Sequence, residues 1–230
     1  MSDLVVPRHI GYIVDGNRRW AKKHGIPNYE GHLAGYNALK EVAIATLEAG
    51  CEYMSAYAWS TENWKRTQEE ATRLMNLTLI VLKADLPMFS EKNIRLKVLG
   101  SREGLDKKLV KAIADAEKAT EKNTGGTFAL CFNYGGQNEI VDAVKKIVHA
   151  GTKEGDITDE LIAANIYAPE VPPMDVIVRT GSEQRLSNFM LWRSAYSEFI
   201  FLKKFWPDMT KDDVTDILKE YSKRQRRFGG

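Results

Sequence analysis

The run His9-Ile10-Gly11-Tyr12-Ile13-Val14-Asp15-Gly16-Asn17-Arg18-Arg19-Trp20 decides the fold. A β-branched and aromatic stretch passes directly into a carboxylate, a glycine and two arginines, after which a helix begins. That is the form of a strand whose carboxyl end opens onto a ligand site. The form recurs along the chain. Strand-like runs at 9–14, 53–60, 94–100, 127–134, 175–180 and 198–202 alternate with helical patterns at about 35–50, 67–91, 105–122, 136–150 and 157–167, and a last one at 210–228. Alternation of this kind builds crossover units, so the expectation is an α/β fold with a mostly parallel sheet flanked by helices. No repeat, low-complexity tract or Pro/Gly-rich linker divides the 230 residues, which read as one domain, with residues 1–7 expected to be a flexible lead-in.

Bulk properties narrow the function. A formal net charge of +2 is too small for the broad positive field of a protein that tracks nucleic acid, so anions are expected to be bound locally and no nucleic-acid partner is expected. No apolar run approaches the roughly 18 residues of a membrane span. The N-terminal residues lack the basic start, apolar centre and small-residue cleavage site of a secretory signal, so a cytoplasmic location is expected. Cys51 and Cys131 lie in separate apolar segments and read as buried free thiols.

The helical pattern at 72–91 has two apolar stripes. Met75, Leu79, Leu82, Leu86 and Phe89 form one; Leu74, Leu77, Val81 and Met88 form the other. Either the helix is sandwiched between the sheet and a neighbouring helix, or one stripe lines a channel for a hydrocarbon chain.

Three strand ends carry polar chemistry. After the first come Asp15, able to hold a divalent cation, Gly16, which admits close backbone approach, and the guanidinium groups of Arg18 and Arg19. After the second come Ser60-Thr61-Glu62-Asn63-Trp64-Lys65-Arg66, and after the fifth Arg179-Thr180-Gly181-Ser182-Glu183-Gln184-Arg185-Leu186-Ser187-Asn188. Each group alone reads equally well as turn, cap or surface pairing. Together, at one edge of a parallel sheet, they supply arginines, an aspartate and hydroxyls suited to diphosphates. Glu198, opening the last strand, is a candidate to join Asp15 on a metal. Neither a Walker lysine motif nor a G-x-G-x-x-G after a strand is present, and there is no nucleophile elbow.

These segments, with Gly31-His32, Asn133-Tyr134-Gly135-Gly136, Phe189, Trp192, Tyr196 and the ending Arg226-Arg227-Phe228-Gly229-Gly230, resemble the signature blocks of cis-prenyltransferases of the undecaprenyl diphosphate synthase type. The resemblance runs from about residue 8 to the end. It implies a single-domain homodimer with a central six-stranded sheet and a hydrophobic tunnel between sheet and helices. The activity implied is Mg²⁺-dependent condensation of isopentenyl diphosphate with an allylic diphosphate, farnesyl or geranyl, to a Z-configured polyprenyl diphosphate of the undecaprenyl kind, a glycan carrier lipid. Product release would involve transient contact at a membrane, with the protein cytoplasmic or peripheral there.

The resemblance also implies roles. The allylic diphosphate would sit on Gly16, Asn17, Arg18, Arg19 and His32, with Asp15 catalytic and bound to Mg²⁺. Isopentenyl diphosphate would be held by Arg179, Arg185 and Ser187, with Glu198 also on Mg²⁺ and the partner's C-terminal glycines closing over it. Asn63 takes the proton-accepting position, and Trp20, Ser60, Thr61, Glu62, Trp64, Arg66 and Leu186 complete the expected substrate-binding set. Asn28 stands where an arginine is usual, Ser182 where a glycine is, Val14 where a methionine is, and Gly126 where a bulky residue helps close the tunnel floor. Two rival readings are a non-catalytic homologue acting as a binding subunit and a phosphoester hydrolase in the same crevice. Asp212-Asp213-Val214-Thr215-Asp216 matches the D-D-x-x-D metal motif of trans-prenyltransferases but is expected to be the structural start of the last helix.

Overall fold

The computed structural model describes residues 4–65 and 67–224. Six strands, β1 His9–Ile13, β2 Tyr53–Ser60, β3 Arg95–Leu99, β4 Thr127–Tyr134, β5 Val176–Arg179 and β6 Glu198–Phe201, form one sheet in the order β3-β4-β2-β1-β5-β6. Every pairing is parallel, so the sheet is wholly rather than mostly parallel. All its carboxyl ends therefore lie along one edge.

Alternation along the strands builds two cores. Ile10 and Tyr12, Met54 and Ala56, Phe128, Leu130 and Phe132, and Val176 and Val178 face one side. There they meet α2 Asn28–Glu48, α3 Gln68–Ala84, α4 Leu86–Glu91, α5 Lys107–Thr120 and α8 Lys211–Ser222, whereas α1 Asn17–His24 lies against α2 at the crevice end. Ile13, Tyr57, Ala129, Cys131 and Ile177 face the other side, where Val171, Met174, Phe189 and Met190 cover them. α6 Gly136–His149 and α7 Asp159–Asn165 belong to this second layer, tied in through Glu139, which accepts from the Tyr134 hydroxyl at 2.6 Å. Both cysteines are buried and unpaired by any disulfide. Among the described residues no helix is long and apolar enough to cross a membrane.

Three helix boundaries differ from the sequence expectation. α2 starts at Asn28 rather than near 35, although Gly31 and Gly35 lie in its first two turns and lower helix propensity. Their purpose is packing: a Cβ at Gly31 would stand 2.4 Å from the Asn17 carbonyl oxygen, and one at Gly35 2.2 Å from Asn17 Oδ1. Only glycine lets the start of α1 lie this close. α1 itself begins at Asn17, within the motif instead of after Trp20. The long pattern at 67–91 breaks at Asp85, because Pro87 cannot continue α3 but is tolerated in the first turn of α4. The helix expected at 210–228 is seen as α8, and residues 225–228 fall outside the described range.

The D-D-x-x-D run is assigned to the start of α8. Thr210 and Asp213 form a capping box, and Asp213 accepts from Lys204 Nζ at 2.7 and 2.8 Å. Asp216 pairs with Lys219 at 3.0 Å.

Candidate active site

Crossovers leave β1 and β5 in opposite directions, β1 toward β2 and β5 toward β6, so the chain parts above these two neighbours and leaves a crevice at their carboxyl ends. Asp15 follows β1 and Arg179 ends β5. Arg179 Nη2 donates to Asp15 Oδ2 at 3.0 Å, and Arg19 Nη2 lies 3.1 Å from Oδ1. Arg179 Nη1 donates to Ser187 Oγ at 2.8 Å and to the Arg185 carbonyl. Its Nε is buried with no partner among the described residues. Thr180 holds the Asp15 backbone from both sides, its hydroxyl donating to the Asp15 carbonyl at 2.7 Å and lying 3.1 Å from the Asp15 N–H.

Gly16 is the N-cap of α1, at φ 111°, where a Cβ would stand 2.7 Å from the Phe205 ring. No side chain caps α1 and no acidic residue lies in its first turn, so its leading N–H groups face outward as a partial positive charge. They open onto a basin of about 770 Å³ lined by Asp15, Asn17, Arg18, Arg19, Lys22 and Asn28, with His32 at its back. His32 Nε2 lies 3.9 Å from Glu70 Oε1. This is an anion-binding arrangement of backbone dipoles and cations.

Beyond β2 the chain tightens into a 3-10 turn, Thr61–Lys65, in which Asn63 Oδ1 accepts the Ser60 N–H at 3.0 Å. Burial pushes the Glu62 carboxyl up, but hydrogen bonds led by Asn188 Nδ2 at 2.8 Å outweigh it and hold the group below the ordinary carboxylate range. The β5–β6 connection is strained. Ser182, Ser187, Asn188 and Met190 all have φ between 38° and 67°, a region costing non-glycine residues about 1–2 kcal/mol each. Asn188 holds this loop to the start of α6, its Oδ1 and carbonyl accepting from the N–H groups of Gln137 and Gly136 at 2.8 and 2.7 Å.

From Asp15 a second cavity, about 680 Å³, runs inward between the sheet and α2, α3 and α4. Asp15, Asn17, His32, Ser60, Glu62, Asn63, Ser187 and Asn188 line its mouth, and Tyr36, Leu39, Ala43, Leu77, Val81 and Leu130 its walls. Phe89 and Phe128, stacked at 5.9 Å, lie deep in it. The stripe Leu74, Leu77, Val81 and Met88 lines this cavity in full, joined by Leu82 and Phe89 of the other stripe, whose Met75, Leu79 and Leu86 pack into the core; Leu74 and Met88 touch that core as well.

Of the expected site residues, the structure gathers Asp15, Gly16, Asn17, Arg18, Arg19, His32, Ser60, Glu62, Asn63, Arg179 and Ser187 around the two cavities. Thr61 stands at the rim, its hydroxyl 3.3 Å from Glu62 Oε2. Arg185 is exposed and paired with Glu183. Four others have their side chains engaged elsewhere in this chain. Trp20 turns away from the crevice, its Nε1 donating to Asp208 Oδ1 at 2.6 Å while its ring packs on His24. Trp64 Nε1 donates to Asn133 Oδ1 at 2.7 Å, which fixes the 3-10 turn on β4. Leu186 packs into the second core. Glu198 starts β6 in register with Val176, whereas Asp15 lies beyond the Ile13–Arg179 pair at the other end of the sheet. Within one chain the strand length between, about 10 Å or more, keeps these two carboxylates apart, and Glu198 is paired with Arg224 at 2.9 Å. Gly126 also lies away from the cavity; a Cβ there would meet Leu47. Arg66 and the terminal glycines lie outside the described residues.

The sequence reading missed Tyr36, Leu39 and Ala43 as lining residues. Their signal was present: His32, Gly35, Tyr36, Leu39 and Ala43 repeat at helical spacing on one face of α2, and all but His32 lie within the helical pattern read at 35–50.

Comparison with known proteins agrees with this geometry. An "Isoprenyl transferase" of Thermotoga maritima is 43% identical over 227 residues, covering 98% of this chain and 97% of that protein. One of Staphylococcus saprophyticus is 41% identical over 229 residues, covering 98% and 90%. The crystal structure of lavandulyl diphosphate synthase from Lavandula x intermedia in complex with dimethylallyl diphosphate superposes with a TM-score of 0.94 at 32% identity, over 98% of this chain and 99% of that one. Residues 13–229 match the prenyltransferase family model described as "Putative undecaprenyl diphosphate synthase", and the chain belongs to that family of isoprenyl transferases.

Proposed function

We propose that this isoprenyl transferase condenses isopentenyl diphosphate with an allylic diphosphate, farnesyl or geranyl, and builds a Z-configured polyprenyl chain of the undecaprenyl kind. The observation that carries the proposal is the continuity of the site: a cationic crevice at Asp15, Arg19 and Arg179 opens directly into an apolar cavity of about 680 Å³. A diphosphate head and a hydrocarbon tail are the two ends of one ligand that such a space fits.

In this reading the allylic diphosphate lies in the outer basin on the α1 N–H groups, Arg18, Arg19 and His32. Its tail enters the apolar cavity. Isopentenyl diphosphate lies on Arg179, Arg185 and Ser187. Asp15 at present satisfies two guanidinium groups; arriving phosphates exchange with it for Arg19 and Arg179. Charge-assisted hydrogen bonds of this kind are worth roughly 1.5–3 kcal/mol each and oppose the charge that develops on the departing diphosphate.

One carboxylate with open phosphate positions beside it suits Mg²⁺, which binds through one or two carboxylates plus substrate phosphates; the described residues hold no cluster of three metal-ligating side chains. Bound there by Asp15, Mg²⁺ would neutralise the leaving diphosphate. The allylic C–O bond breaks, the terminal alkene carbon of isopentenyl diphosphate forms the new C–C bond, and one proton is lost. The oxygen of Asn63 is engaged by the Ser60 N–H. Asn63 therefore orients, and a diphosphate oxygen takes the proton.

We assign a homodimer on the same grounds. β6 is an edge strand that carries exposed Phe199 and Phe201, with exposed Tyr196 just before it. A twofold contact along this edge reverses the partner strand. Glu198 of the partner subunit would then approach the carboxyl ends of β5 and β6 and reach Mg²⁺ in a way that this chain's own Glu198 does not. The protein acts in the cytoplasm and meets the membrane only as long products leave.

The test is incubation with labelled isopentenyl diphosphate, Mg²⁺ and starters of different length, followed by sizing of products and assignment of double-bond geometry. Elongation with new Z bonds, abolished by EDTA, is expected. Release of inorganic phosphate without elongation, or products with E bonds alone, would overturn the assignment.

A further inference from the structure

The apolar cavity has a charged interruption. Lys40 on α2 and Asp85 at the joint of α3 and α4 both line it, with Nζ 3.3 Å from Oδ1. Their neighbours in the lining are Tyr36, Ile44, Val81, Leu82 and Met88. The Asp85 side chain is 11% exposed and that of Lys40 38%, so the carboxylate is the buried end of the pair and the lysine the open one. The Lys40 stem covers apolar surface while its ammonium lies 5.5 Å from the Tyr36 ring centroid. Burial pushes the Asp85 carboxyl up, so the position is a costly one for a charge.

Stability does not explain such a pair, since apolar residues of similar volume commonly serve as well or better in a largely buried place. Location does. Asp85 occupies the joint between α3 and α4, its N–H donating to the Val81 carbonyl and its carbonyl accepting from the Phe89 N–H, each at 3.0 Å, while its carboxylate reaches across to Lys40 on α2.

Resting on the proposed function, we propose that Lys40 and Asp85 form a specificity-determining gate that closes the seam between α2 and the α3–α4 joint. The far end of a growing hydrocarbon chain is confined while the pair is closed. A chain long enough to part the pair leaves sideways through the seam, so the pair sets the length at which elongation gives way to release.

The test compares wild type with Lys40→Ala/Asp85→Ala, which opens the seam without leaving a lone charge, and with the swap Lys40→Asp/Asp85→Lys, which restores a pair if the alanines impair folding. The first readout is binding of n-alkyl phosphates of increasing length. Affinity should rise by up to about fourfold per buried methylene until the chain end meets the gate, and then level off. In the double alanine variant the rise should continue over several further methylenes; in the swap it should level off where wild type does. The second readout is product length, expected to shift by at least one isoprene unit in the double alanine variant and to return in the swap. An unchanged levelling point and product distribution in a folded double variant would overturn the gate while leaving the transferase reading intact. Wild type that binds no long alkyl phosphate and elongates no starter would overturn both.

Discussion

Two arginine–carboxylate pairs show how differently the same chemistry is used in this molecule. Arg193 and Glu139 are 1% and 0% exposed, and nothing in them is left over. The guanidinium donates to Glu139 at 2.8 Å and to the carbonyls of Val171, Tyr167 and Ala168, and the second Glu139 oxygen takes the Tyr134 hydroxyl. Arg179 and Asp15 are 5% and 29% exposed, the Arg179 Nε lacks a partner among the described residues, and the carboxylate faces the cavity mouth. A saturated pair holds α6, the segment before β5 and the turn after it in one arrangement. An under-satisfied pair beside a cavity keeps binding capacity for a ligand. Burial alone does not separate structure from function here; completeness of the hydrogen bonding does.

The largest effect that would test this contrast is on turnover. Asp15→Ala should lower kcat on the order of a thousandfold or more while circular dichroism stays that of wild type. Arg179→Ala should raise the KM for isopentenyl diphosphate. Near-normal kcat in Asp15→Ala would remove the proposed metal role and with it one side of the comparison.

Arg193→Leu should do the reverse, costing about 3–5 kcal/mol in urea unfolding because it leaves Glu139 charged and unpartnered in the core. Activity per folded molecule should stay near that of wild type. A small stability loss would mean that the saturated pair is not structural.

A pH titration extends the comparison to the other end of the sheet. His9 is fully buried, with its ring nitrogens 2.8 Å from the Pro172 carbonyl and 2.7 Å from Ser55 Oγ, and burial holds its pKa down to about 4. Between that value and the ordinary one near 6.5, the unfolded chain binds a proton that the folded protein refuses. Stability should therefore fall as pH drops through this window, by up to about 3 kcal/mol, and stay level above pH 7. Glu62 and Asp213, held below the carboxylate range, contribute stability that is lost only as pH falls further, through their own depressed values. The urea midpoint should show the slope in wild type and lose it in His9→Asn; equal slopes in both would assign the effect elsewhere.

The smallest effect concerns the acidic run on α8. Replacing Asp212, Asp213 and Asp216 together with asparagine should leave Mg²⁺-dependent elongation within several-fold of wild type and cost about 1–2 kcal/mol from the lost helix-end electrostatics. A thousandfold loss in a folded protein would place the metal there instead of at Asp15.

The sequence by itself determined the sheet. Its six strands were legible to within about a residue at each end, because β-branched runs bounded by turn chemistry depend on local preference and burial on both faces. It also brought Asp15, Ser60 to Asn63 and Arg179 to one crevice, since every parallel strand must end on the same edge. Tertiary structure alone decided the rest. The orientation of the Trp20 and Trp64 indoles depends on Asp208 and Asn133, residues distant in sequence that accept their N–H groups. The start of α2 depends on how closely Gly31 and Gly35 admit α1, a packing term that outweighs helix propensity. Glu198 was already legible as the opening of its strand. What the register of the sheet adds is that, within one chain, it stands at the end away from Asp15 and pairs with Arg224, a contact that no local pattern announces.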